Sequence, residues 1–248
     1  FRFINRSNLN VKISHIEIPK LSYNIEKQTN LSKNKRFQQS FKAWVPKGTP
    51  ISQPYWLQEK HDKGAYHISN EALKGLPMSP PVIRSLVKVN IEGLILEREI
   101  PLTYKYVEPS FGEIYQPLVV APDVTVTANT GSLVFGNGNP QDILVTVNSS
   151  KKDMQGNVNL DVPAGWTYSP ISTSFNLKNK NEETILKFTV NPPSTGSKGT
   201  IKIKANAAGN TFSSSLNSIK YKHIPETVTF PEADISVLRL DLKKKGKR

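Results

Sequence analysis

Four histidines are the first residues to test for chemistry: His15, His61, His67 and His223. A zinc hydrolase needs imidazoles converging on one ion, often as His-Glu-x-x-His on one helix face. None of the four has that spacing. His61-Asp62, six residues before His67, is the best local metal candidate, and a polar loop is the better account of it. His15 lies in an alternating run and reads as a partly buried strand residue. A serine nucleophile would sit in a Gly-x-Ser-x-Gly elbow, which does not occur. Gly-x-Gly-x-x-Gly and P-loop motifs do not occur either, and Gly136-Asn137-Gly138 reads as a hairpin turn rather than a phosphate cradle. There are no cysteines, which excludes disulfides, thiolate nucleophiles and Cys-ligated metals. A glycosidase carboxylate pair is assembled in space and has no sequence spacing. That chemistry stays open as an unrecognised hydrolase. The reading assigns no catalytic, cofactor-binding or metal-binding residue.

Aromatic side chains are the remaining chemical signal. Gln53-Pro54-Tyr55-Trp56-Leu57 stands out, with Trp44 upstream and Tyr66 following. Flat rings stack on sugar rings, so an exposed Tyr55 or Trp56, with Trp44, would form a glycan platform. The competing and favoured account is burial, with Trp56 plugging a core and Tyr55 covering its end, because large aromatics dominate the cores of small domains. Trp166 follows a turn glycine in Pro163-Ala164-Gly165-Trp166 and is expected to pack back on its own domain.

The elements that must position these residues read as strands almost throughout. Asn10 to Ile18 alternates with period two and stops at Pro19. Phe37 to Val45 repeats the idea, with Phe37, Phe41, Ala43 and Val45 in phase. Val82 to Glu92 and Leu94 to Tyr106 form a strand pair divided by Glu92-Gly93, and Pro101 marks an edge or bulge. A second series runs through Val124–Thr127, Leu133–Phe135, Ile143–Asn148, Gly156–Val162, Phe175–Leu177, Thr184–Val190, Thr200–Ala205 and Thr211–Tyr221. One helical turn is expected near Ser69 to Leu73. Short strands at this spacing, punctuated by turns, predict an all-β fold of two tandem immunoglobulin-like β-sandwich domains. The expected division is 1–116, then 117–223 after a short proline-containing linker, then a C-terminal segment 224–248. In that segment Ile235 to Leu242 alternates as one strand and is expected to lead into a further domain.

The formal net charge of +13 is spread along the chain. The one dense cluster is Lys243-Lys244-Lys245-Gly246-Lys247-Arg248. A basic balance can serve nucleic acid or an anionic membrane. No nucleic-acid-binding motif accompanies it, so a solvated surface is expected and no nucleic-acid partner. Mean hydropathy is −0.41, and no apolar run reaches the ~18–20 residues of a membrane span. The opening Phe1-Arg2-Phe3-Ile4 has no signal-peptide pattern and reads as the middle of something longer.

Pro46-Lys47-Gly48-Thr49-Pro50-Ile51-Ser52-Gln53-Pro54-Tyr55-Trp56-Leu57, with Tyr104-Lys105-Tyr106, Gly112-Glu113-Ile114-Tyr115-Gln116-Pro117 and the following Val120-Ala121-Pro122, resembles the middle region of Bacteroidetes-type PIG-L (LmbE-like) deacetylases. Pro163-Ala164-Gly165-Trp166 and Val190-Asn191-Pro192-Pro193 are similar to the NEW3 domain associated with α-galactosidases. The resemblance covers nearly the whole chain. It implies a zinc-dependent N-acetyl sugar deacetylase domain upstream, an α/β domain downstream, and an exported protein, periplasmic or at the cell surface. The family's catalytic Pro-His-Pro-Asp-Asp-Glu-type motif and later His pair have no counterpart here. No catalytic residue therefore carries over, and no cofactor is expected in this region. The reading that follows is a non-catalytic accessory module whose partners are the flanking domains and a glycan. A stand-alone carbohydrate-binding module using Tyr55 and Trp56 is the second reading.

Overall fold

The computed structural model describes every residue except Lys27, Lys60, Asn137, Lys222, His223, Pro225 and residues 243–248. Among these described residues there are strands and three short 3₁₀ turns, and no α-helix, so the fold is all-β. The basic C-terminal cluster and His223 lie outside the described residues. The chain divides into two compact units. One takes Phe1–Tyr55, Ile68–Val120 and Tyr221–Glu226; the other takes Trp56–His67, Ala121–Lys220 and the described residues from Thr227 onward.

The first unit holds β1 (Arg2–Ile4), β2 (Val11–Ile18), β3 (Tyr23–Ile25), β4 (Thr29–Asn30), β5 (Arg36–Gln38), β6 (Arg84–Ile91), β7 (Leu94–Pro101), β8 (Thr103–Glu108) and β9 (Gly112–Pro117). Its main sheet has the order β3-β2-β6-β7, with β4 also on β2. β1 pairs with β5, and β8 with β9, as separate ribbons. Strict alternation would put His15 and Glu17 beside Val11 and Ile13. Instead the register of β2 against β6 shifts between Ile13 and His15, so Ile16 and Ile18 are the residues buried. An extra residue in a bulge moves every later side chain to the other face. The β6–β7 hairpin turns through Glu92 and Gly93, both at positive φ (51° and 96°), the backbone a two-residue turn of this hand requires.

The small core of this sheet is Val11, Ile13, Ile16, Leu31 and Val87, covered by Phe1, Phe3 and Phe37. Those rings belong to a chain of stacked aromatics: Phe37 on Phe3, Phe3 on Phe1, Phe1 on Phe41, and Phe41 on Tyr23 at 3.9 Å. The strand expected through Val45 stops at Gln38. β1 supplies three partners, the last ladder pair is Arg2 with Gln38, and Gln39 N–H donates to Phe1 O as the final rung. Beyond it Val45 is exposed. The expected helical turn appears as a 3₁₀ turn, Glu71–Leu73, capped by the Asn70 side chain accepting from Ala72 N–H.

The second unit is a β-sandwich. Its strands are β10 (Val124–Ala128), β11 (Ser132–Phe135), β12 (Gln141–Ser149), β13 (Met154–Asp161), β14 (Thr167–Ser169), β15 (Thr173–Leu177), β16 (Glu183–Asn191), β17 (Ser197–Ala207), β18 (Asn210–Phe212), β19 (Asn217–Ile219), β20 (Thr227–Thr229) and β21 (Asp234–Arg239). One sheet runs β10-β12-β16-β14. The other runs β11-β21-β17-β13-β15, with β18 on β17. Inward-facing Ile143, Val145, Phe188 and Val190 of the first sheet meet Val158, Ile201, Ile203 and Ile235 of the second in one core. Trp166 packs there as expected. It is buried, its indole N–H donates to Ser197 Oγ at 3.1 Å, and it lies edge-on to Phe135. The run expected from Thr211 to Tyr221 is broken into β18 and β19.

β21 lies inside the second sheet of the sandwich, parallel to β11 and antiparallel to β17. Ile235 and Val237 are almost fully buried. Its alternation is that of a half-buried strand. A chain ending at Ala233 is expected to lose the cooperative unfolding transition of this unit and its near-UV signal from Trp166. An unchanged urea transition would show β21 to be dispensable.

Candidate functional site

The three aromatics singled out from the sequence differ in exposure. Tyr55 is 8% exposed. Its hydroxyl donates to the Leu76 carbonyl at 3.0 Å, and its N–H donates to Ser79 Oγ at 2.8 Å. Its ring therefore has no open face for a sugar: a Tyr beside Pro54 in a 3₁₀ turn is anchored at both ends by hydrogen bonds. Trp56 is half-buried. Trp44 is 81% exposed.

The described histidines, His15, His61 and His67, are on the surface or near it. His67 Nε2 and Asp62 Oδ2 are 2.9 Å apart in a loop closed by the Asp62–Ala65 bridge. His61 rests beside the Tyr66 ring. His15 sits 3.3 Å from Glu17 and 4.0 Å from Glu26. Among the described residues no three His, Asp or Glu side chains gather as a metal-binding group.

A feature not singled out from the sequence lies on the outer face of the six-stranded sheet. Pairing places Ser174 opposite Asn157, Asn157 opposite Asn206, and Asn206 opposite Thr211, a row of amides and hydroxyls across four strands. Gln155 and Asn176 face each other one step along. The Asn206 side-chain amide donates to Asn157 Oδ1 at 3.3 Å and to Asn159 Oδ1 at 2.9 Å, and its oxygen accepts from Thr211 Oγ1 at 2.8 Å. Beside this row is an open groove of ≈ 590 Å³ lined by Gln155, Gly156, Asn157, Ser174, Phe175 and Asn176. The signal was present locally, since Gly156-Asn157-Val158-Asn159-Leu160 puts both asparagines on one face. The row itself needs the register of four strands.

The groups whose acidity is displaced are exposed ones. Glu113 is held below the usual carboxylate range by hydrogen bonds from Lys105 and Tyr115, and Lys105 is raised in return. Lys187 and Thr189 lower Asp142. Glu182 is lowered by the Asn179 backbone N–H, then by Lys178 N–H and the Asn179 side chain, which together close the β15–β16 turn. Each is explained by a surface turn or ion pair. Compared with known proteins, the sequence matches no family model and no curated relative.

The signs of these shifts set an acid dependence. A carboxylate with a depressed folded pKa contributes stability above its unfolded pKa and loses it as pH falls through the folded value. The urea midpoint is expected to hold from pH 7 to about 5 and to fall below about pH 4, where unfolded carboxylates protonate near ~4. Glu182→Gln is expected to flatten part of that fall. An acid slope equal to wild type would remove Glu182 from this account.

Proposed function

We propose that the chain is a non-catalytic accessory module of an exported PIG-L-like N-acetyl sugar deacetylase, with a NEW3-like sandwich as its second unit. It spaces and orients the neighbouring catalytic domain and helps to hold the glycan substrate. The observation that carries this reading is the distribution of its polar chemistry. Displaced acidities fall on exposed turns and ion pairs, whereas active sites gather such groups in clefts. What the polar side chains build instead is a fixed row of neutral amides beside a groove. No helix among the described residues is long and apolar enough to cross a membrane. The reading of a stand-alone module with a Tyr55–Trp56 platform loses support from the burial of Tyr55.

The reading is tested in two places. The chain alone, with or without added zinc, is expected to release no acetate from N,N′-diacetylchitobiose. Zinc-dependent turnover would make it an enzyme. The encoding gene is expected to continue upstream of Phe1 into a domain carrying a Pro-His-Pro-Asp-Asp-Glu-type motif. An unrelated upstream domain would overturn the deacetylase context.

A further inference from the structure

We propose that the amide-lined groove on the outer face of the second unit is a binding site for a neutral glycan, held by side-chain hydrogen bonds rather than by stacked aromatics. It deepens the reading above by giving its glycan-holding step a location.

The first support is the charge pattern. The outward positions Gln155, Asn157, Asn159, Ser174, Asn176, Asn206 and Thr211 are all uncharged, in a chain with a net charge of +13. Elsewhere on the same face charged residues (Asp161, Lys198, Lys202, Lys204 and Asp234) alternate with uncharged Thr200, Ser236 and Val134, and Lys204 Nζ lies 2.9 Å from Asp161. Carboxamides carry both donors and acceptors and match sugar hydroxyls, which are both as well.

The second support is pre-organisation. Asn206 spends both amide hydrogens and its oxygen within the row, so it acts as a hub rather than as a ligand contact. Asn157 and Asn159 turn their oxygens to that hub, and their own Nδ2 groups have no hydrogen-bond partner among the described residues. Side chains fixed before binding lose less entropy on binding. Adjacent strands lie ~4.8 Å apart, so the row repeats a polar contact at about the width of one sugar ring.

The third support is the groove itself. Its floor is the paired backbone of Gly156 and Phe175, and its rim is Gln155, Asn157, Ser174 and Asn176. At ≈ 590 Å³ it lies within the ~300–1,000 Å³ range of ligand sites. No lysine lines it, which disfavours an anionic ligand.

The test is affinity electrophoresis of the 248-residue chain in gels containing glycol chitin or a soluble neutral β-glucan. Wild type is expected to be retarded by at least one of them. Asn157→Ala combined with Asn176→Ala is expected to weaken the retardation about tenfold, the loss of two or so hydrogen bonds, with the urea midpoint unchanged. Trp44→Ala is expected to bind as wild type does. Retardation that survives the double substitution, or that vanishes with Trp44→Ala, overturns this site while leaving a glycan-holding module intact. No retardation in any gel overturns both the site and the glycan part of the broader reading. A retarded chain whose gene lacks an upstream deacetylase would keep the site and lose the context.

Discussion

At Gly156 the backbones of β13 and β17 approach so closely that a Cβ would lie 2.2 Å from the Asn206 carbonyl oxygen and 3.0 Å from the Phe175 ring. This close approach constrains the rest of the sandwich. It pins the register of two central strands, and with period two a slip by one residue would exchange their faces. Val158 and Leu160 would then leave the core, and Asn157 and Asn159 would enter it. The same contact therefore supports the apolar interior and the amide row outside. Gly199 is a second such point, where a Cβ would sit 2.4 Å from Pro163, close to the turn that delivers Trp166.

The first unit is built on a thinner plan. Its sheet is covered by aromatic rings from a three-residue ribbon rather than by a second full sheet. On β7 the residues opposite Ile91 and Val89, Leu94 and Leu96, share the core-facing side and yet remain exposed. That strand is also an edge. Its charged stretch Glu97-Arg98-Glu99, its ion pairs with Lys88 and Arg84, and its terminal Pro101 are the devices by which edge strands resist pairing with another chain. Asn5 anchors the start of the unit, buried and donating to the Leu9 and Leu31 carbonyls.

Long-range charge plays a local part in this molecule. Ion pairs such as Lys151–Asp123, Lys187–Asp142 and Lys105–Glu113 tie neighbouring strands and turns at exposed positions, where each contributes little to stability. Stability rests instead on burial in the sandwich, with Phe135, Phe188 and the inward isoleucines fully enclosed.

Period-two alternation made most strands legible from the residues alone, because the pleat is a local property of the chain. Val124–Ala128, Gln141–Ser149 and Glu183–Asn191 carry their inside and outside in their own spelling. Turn chemistry was equally local at Glu92-Gly93 and at Gly165. What alternation does not encode is which strand lies beside which. Only the tertiary structure placed β21 between β11 and β17, ended the β5 strand at Gln38 for want of a partner, and shifted the phase of β2 at its bulge. Only it turned Tyr55 inward onto Leu76 and gathered Asn157 and Asn159 of β13 and Thr211 of β18 around Asn206 of β17. Those outcomes depend on contacts between residues far apart in sequence, and no local period carries them.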